Sequence, residues 1–143
     1  MKLSTRIRYG TRALIYIAAF GKDKPVSIRE ISNNEGISLK YLENIMPVLK
    51  SSGIVRSMQG PKGGYILAKD SKGLNLADIV YCLGGPLLLL RCLQDYECKQ
   101  ERKCVMKGIW SEVNTTLDKK LKSIKIKDIA RRRGRLISNR RKK

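Results

Sequence analysis

At 143 residues, with 31 lysines and arginines against 12 aspartates and glutamates and no histidine, the chain carries a formal charge of +19 and a pI near 10.2. That length allows one domain with a real core plus an appended helix, and the charge points to a polyanionic partner, nucleic acid ahead of an acidic membrane surface. An aromatic content of 6% argues against a single-strand binder built on stacked rings, and without histidine or a converging acid cluster no enzyme site can be assembled.

Ser4 or Thr5 can cap a first helix that becomes apolar on nearly all faces after Arg12. Lys2, Arg6, Arg8 and Arg12 ahead of the apolar run 13–20 imitate an export signal, but the run is short, ends in Gly21-Lys22 and lacks a small-residue cleavage site. No stretch approaches the roughly 20 apolar residues of a membrane span. The segment therefore reads as a buried support helix in a cytoplasmic protein without membrane contact, with Arg6, Arg8 and Arg12 at its polar end either touching phosphate or, more often for a charged helix end, simply solvated.

Ser27 followed by Glu30 has capping-box spacing, with Val26 placed to staple onto Ile31, so a second helix starts at Ser27. Gly36 supplies a tight helix-helix turn. Ser38 caps a third helix whose buried face is Leu42, Ile45, Met46 and Leu49 and whose other face carries Lys40, Tyr41, Glu43 and Asn44 in its first two turns. Those turns of a recognition helix reach base edges in a major groove, where Asn can bridge adenine and Glu can accept from cytosine. Pro47 predicts a kink or an early end near Met46. Segments 54–57 and 65–68 then bracket Met58-Gln59-Gly60-Pro61-Lys62-Gly63-Gly64, two strands and a turn whose glycines permit close approach to a phosphate. Helix, turn, helix and hairpin in this order make a winged helix-turn-helix, and the fold class is mainly α with a small β wing plus a long dimerisation helix.

Asn75 caps a helix with Leu76, Ile79, Val80 and Leu83, stopped by Gly84-Gly85-Pro86, so residues 1–85 form the DNA-binding domain. Leu87 to Leu90 require cover from another element or subunit. In the loop 86–104, Cys92, Cys98 and Cys104 are spaced C-x5-C-x5-C among charged residues. These gaps exceed ordinary zinc spacing, and neither a fourth loop cysteine nor a histidine completes a tetrahedral site. Three thiolates suit an iron-sulfur cluster whose last position is filled by another group: Asp95, Glu97, Glu101, a partner-subunit group, a small thiol or water, or a rearranged Cys82. Cys82, on the apolar helix, otherwise reads as core. The arrangement of three thiolates and one weak ligand places 4Fe-4S ahead of 2Fe-2S.

From Val105 a helical stripe of Trp110, Val113, Leu117, Leu121 and Ile124 cannot be buried by one helix alone, and it predicts a homodimer on a pseudo-palindromic double-stranded operator. Ile126 and Ile129 add a last turn or two to this region, 105–130. The tail 131–143 holds eight positive charges and no acid, and reads as disordered; +19 less these eight still leaves +11 on the body.

Met1-Lys2-Leu3-Ser4 leading to Arg8-Tyr9-Gly10, the run Ile37-Ser38-Leu39-Lys40-Tyr41-Leu42-Glu43, the run Gly60-Pro61-Lys62-Gly63-Gly64-Tyr65 and the three cysteines form a specific combination over residues 1 to 130. In these the chain resembles the Rrf-type winged helix-turn-helix transcription regulators, whose members include IscR, NsrR, RirA and CymR. The resemblance implies a dimer crossed through the long helix, with a cluster near the interface that alters how the recognition helices meet DNA. It also implies groove contacts at Ser38, Lys40, Tyr41, Glu43 and Asn44 and wing contacts at Gln59 and Lys62. Gln59 departs from relatives that place arginine there. Relatives with a 2Fe-2S cluster often carry histidine where this chain has Lys107, and 4Fe-4S relatives can use a partner-chain acid where it has Arg8, so neither fourth ligand transfers.

The leading reading is a cytosolic, homodimeric transcription regulator, a repressor, whose DNA affinity is controlled by the cluster. The alternatives are a cluster-free regulator acting by thiol oxidation or through a partner enzyme, and a basic structural RNA-binding protein that contacts only phosphate.

Overall fold

The computed structural model describes residues 3–22, 24–68, 73–93, 98–99 and 101–140. Among the described residues, six α-helices and a two-stranded sheet follow one another as α1 (Thr5–Phe20), α2 (Ile28–Glu35), α3 (Leu39–Ser51), β1 (Val55–Met58), β2 (Gly64–Leu67), α4 (Leu76–Gly84), α5 (Met106–Ser123) and α6 (Ile126–Arg140). Short 3-10 turns at Arg91–Leu93 and Glu101–Lys103 lie between α4 and α5. Among the described residues, no helix is long and apolar enough to cross a membrane.

Local capping sets the helix starts. The hydroxyls of Ser4, Ser27 and Ser38 accept from the backbone N–H groups of Ile7, Glu30 and Tyr41, each satisfying a donor that has no partner inside its helix. Asn75 and Asp78 form a reciprocal box at the start of α4. Gly36 ends α2 at φ 61°, ψ 39°, a left-handed turn that a side chain would strain, and this turn aims α3 across α2.

α1 is the central support. Ala13, Leu14, Ile17 and Ala18 are buried together with Ile31, Leu42, Ile45, Met46 and Leu49 of the helix pair, Ile79, Val80 and Leu83 of α4, and Ile126 and Ala130 of α6. β1 pairs antiparallel with β2 from Val55 opposite Leu67 to Met58 opposite Gly64. Val26 extends the sheet, exchanging backbone hydrogen bonds with Tyr65 at 3.0 and 2.8 Å, so the base of the wing is tied to the entry of α2.

Two sequence expectations are corrected. α3 does not end near Met46 but continues through Pro47 to Ser51. Pro47 and Glu43, whose carbonyl loses its donor, are both exposed residues, while Met46 and Leu49 on either side of the proline are fully buried. That burial offsets the cost of about 3 kcal/mol for an interior proline. The tail expected to be disordered from residue 131 is instead helical as far as Arg140. Ile126 and Ala130 are buried, Arg133, Gly134 and Ile137 half-buried, and this stripe lies on α1. The charge count concealed an amphipathic pattern, and one of its arginines finds a buried carboxylate in Glu35.

α5 has no buried residue. Its C-terminal half is covered in part by α4: Tyr81 donates its hydroxyl to Asp118, which also pairs with Lys122 at 2.7 Å. Its N-terminal half is bare, with Ile109 51%, Trp110 37% and Val113 44% exposed.

Candidate nucleic-acid interface and thiol loop

The start of α3 projects from the reading head because Leu42, Ile45, Met46 and Leu49 anchor its opposite face in the core. Ser38, Lys40, Glu43 and Asn44 are exposed. Ser38 has a second task, since its hydroxyl already caps the helix through Tyr41 N–H at 3.2 Å. Tyr41 differs from the others: its ring is half-buried and stands edge-on to Tyr9 of α1, with centroids 5.4 Å apart and planes at 87°.

Residues of α1 join this surface, which periodicity alone did not indicate. Arg6 lines a shallow groove of about 250 Å³ with Tyr41, Asn44 and Ile45. The guanidinium carbons of Arg8 and Arg12 lie 5.1 and 5.9 Å from the Tyr9 ring centroid. The spacing of Arg6, Tyr9 and Gly10 on one helical face is the signal that could have assigned them to α3. The result is a basic edge around the exposed turns of the recognition helix, suited to phosphate contacts beside base contacts.

Gln59 and Lys62 are exposed at the tip of the wing, where Gly63 N–H closes the turn on the Gly60 carbonyl at 2.9 Å. Gly63 and Gly64 have an intramolecular reason to lack a side chain, beside the approach to phosphate that the sequence suggested. A Cβ at either would collide with the chain's own backbone, at Met58 O for Gly63 and Val26 O for Gly64. They allow the hairpin to close against itself and against Val26.

One titration in the support helix is displaced. Tyr16 donates its hydroxyl to Glu30 Oε1 at 3.2 Å, and burial, reinforced by the Glu30 charge, pushes its pKa up to about 12.

Cys92 sits in the first 3-10 turn and is half-buried, as is Cys98, while Cys104 follows the second turn and is exposed; all three are free thiols. Among the described residues, no three Cys, Asp or Glu side chains gather into a group that could hold a metal, so the three cysteines are not preassembled. Asp95 and Glu97, two of the candidate fourth ligands, lie outside the described residues, and Glu101 opens the second turn. The donor chemistry nonetheless fits: three soft thiols share one connector, none consumed by a disulfide. Cys82 packs against the core, its Sγ 3.0 Å from Ser52 Oγ at the end of α3. The connector is tied to α5 through Leu89 N–H, which donates to Asn114 Oδ1 at 3.1 Å.

Comparison with known proteins gives a consistent result. The profile of the Rrf2 family, described as an iron-dependent transcriptional regulator, matches residues 3–132. The protein rrf2 of Nitratidesulfovibrio vulgaris is 38% identical over 132 residues, covering 92% of this chain and 88% of that protein. The regulator IscR of Photorhabdus laumondii is 30% identical, over 90% of this chain and 79% of its own. Among solved structures, CymR, the global cysteine regulator of B. subtilis, superimposes with a TM-score of 0.76 at 29% identity, covering 91% of this chain and 96% of that one. IscR of T. potens gives 0.75 at 31% identity, with 92% and 87% covered.

Proposed function

This chain belongs to the Rrf2 family of transcriptional regulators, and from that premise we propose that it is a cytoplasmic, homodimeric repressor whose affinity for duplex DNA is set by an iron-sulfur cluster. The observation that carries the DNA reading is the exposed start of α3, where Lys40, Glu43 and Asn44 stand beside Arg6 in a strongly basic protein. Glu43 and Asn44 read base edges, while Ser38, Lys40, Tyr41, Gln59 and Lys62 position the head on the backbone and wing side. One such helix covers too few bases to select a genomic site, so two copies act on a pseudo-palindromic operator. The bare half of α5, from Ile109 to Val113, supplies the pairing surface.

Cys92, Cys98 and Cys104 hold the cluster through their thiolates, and a non-cysteine group completes it; 4Fe-4S ranks ahead of 2Fe-2S. When bound, the cluster supplies a redox- and oxygen-labile centre. The protein's own residues provide the route to the reading head. The connector is fixed to α5 by Asn114, α5 to α4 by the Tyr81–Asp118 bond, and α4 touches the end of α3 through Cys82 and Ser52. Drawing the three cysteines together moves the connector, and this chain of contacts carries the movement to α3.

Anaerobic purification with an absorbance spectrum and iron and sulfide assay tests the cluster. Iron is expected to be lost in Cys92→Ala, Cys98→Ala and Cys104→Ala and kept in Cys82→Ala; full iron retention in Cys98→Ala would falsify the ligand set. The exposure of Cys104 favours one alternative, a cluster-free regulator that responds by thiol oxidation. It predicts no iron absorbance and a DNA affinity that follows thiol state alone.

A further inference from the structure

Glu35 ends α2 immediately before the Gly36 turn, and its side chain is only 6% exposed. Its carboxylate holds two arginines, Arg12 Nε of α1 at 3.1 Å and Arg133 Nη2 of α6 at 2.6 Å. Arg12 also donates to the Glu35 backbone carbonyl. A carboxylate so far from water is costly to leave unpaired, so this triad fixes α6 to the helix-turn-helix itself.

The direction of α6 follows from its neighbours. Lys127, Ala130, Arg131 and Gly134 line a cleft with Ala18 and Ala19 at the end of α1 and with Lys22 just beyond it. Arg133 and Arg12, which precedes Ala18 by six residues in α1, both reach the Glu35 carboxylate. α6 therefore runs antiparallel to α1, towards the end of α1 where Arg6 meets Tyr41 and Asn44 of the recognition helix. Arg132 and Arg135 lie on its exposed face, and the sequence continues with Arg141, Lys142 and Lys143. Asp128 is the helix's one acid, at its opposite end.

We infer that α6 is a second, rigid DNA-contacting element, held by Glu35 so that Arg132 and Arg135 on its exposed face meet duplex phosphates flanking those covered by α3 and the wing. This rests on the duplex-DNA reading above. A free cationic tail releases counterions wherever phosphate is available, whereas a docked helix holds its charges in register with the head and lengthens each half-site's footprint by a fixed amount.

The test uses the full-length dimer and a duplex selected by the wild type from a random-sequence pool. Hydroxyl-radical footprints and the salt dependence of affinity are measured for wild type, Arg132→Ala/Arg135→Ala, Arg133→Met and Arg133→Lys. The double variant is expected to lose the outermost protected phosphates and lower the salt slope by about two, with base preference inside the half-site unchanged. Arg133→Met is expected to show the same retreat of the footprint edge although it removes a single charge that is paired with Glu35, and Arg133→Lys, which keeps a pair with Glu35, to retain the wild-type edge. Amide exchange across α6 of the wild type should slow on adding duplex, a readout that needs no variant. An edge unmoved in the double variant, an edge that retreats there but not in Arg133→Met, or unchanged exchange in α6 each overturn the inference. A wild type without affinity for any duplex overturns the DNA reading instead.

Discussion

The ring of Tyr9 in α1 meets the ring of Tyr41 in α3 edge-on at 5.4 Å, so the helix proposed to face DNA is registered by an aromatic pair against the support helix. Such a pair contributes about 1 kcal/mol beyond its area, and Tyr9 further sits under two guanidinium groups. Tyr9→Ala is expected to cost about 2 kcal/mol of folding stability and to weaken binding to all duplexes alike, since it loosens the helix without touching a base contact. Tyr9→Phe should preserve both. Urea denaturation alongside fluorescence anisotropy separates the effects, and a change in base preference in Tyr9→Ala would contradict the positioning role.

Tyr16 sets an alkaline limit on stability. In the unfolded chain its hydroxyl loses a proton near pH 10, while the folded protein retains it up to about 12. Between these values the unfolded state binds fewer protons, so the stabilisation is intact below pH 10 and is lost as pH rises towards 12. Denaturation midpoints of wild type and Tyr16→Phe across this range should converge as the pH increases. Parallel curves would mean that the hydroxyl titrates alike in both states.

Base reading and backbone anchoring divide between Glu43 and Lys62. Glu43→Ala is expected to relax base choice at one position per half-site, and Lys62→Ala to weaken all sequences equally while lowering the salt slope by about one. Selection from a randomised duplex pool with each variant, followed by salt titrations, checks this. Identical behaviour of the two would remove the groove assignment of α3.

A charge placed on the bare half of α5 should dissociate the dimer without unfolding the protomer. Val113 is 44% exposed in the single chain, so Val113→Glu has little folding cost there, yet it would bury an unpaired carboxylate between two such helices. Analytical ultracentrifugation should show a monomer with an unaltered circular dichroism spectrum and operator affinity reduced at least tenfold. A Val113→Glu protein that remains dimeric would move the interface elsewhere.

The cap residues Ser4, Ser27, Ser38 and Asn75, the Gly36 turn and the buried face of α3 were legible in the sequence, because each depends on hydrogen bonds or spacing within three or four residues. The wing hairpin was legible for the same reason. The family, too, was written in short runs such as 37–43 and 60–65. What only the tertiary structure decided involves partners far apart in the chain. Arg133 looked like one charge in a disordered tail until Glu35, 98 residues earlier, was placed beside it. Pro47 looked like a kink or a helix end, and the end was overruled because burial of Met46 and Leu49 outweighed the lost hydrogen bond. The half-buried ring of Tyr41 and the nearness of Arg6 to Asn44 follow from how α1 crosses α3, and no local pattern encodes that crossing. The cysteine spacing was equally plain, but convergence of thiols is a property of three-dimensional placement. Local hydrogen bonding and periodicity set the elements, whereas desolvation and long-range charge pairing, which exist only after the elements meet, decided how they are joined.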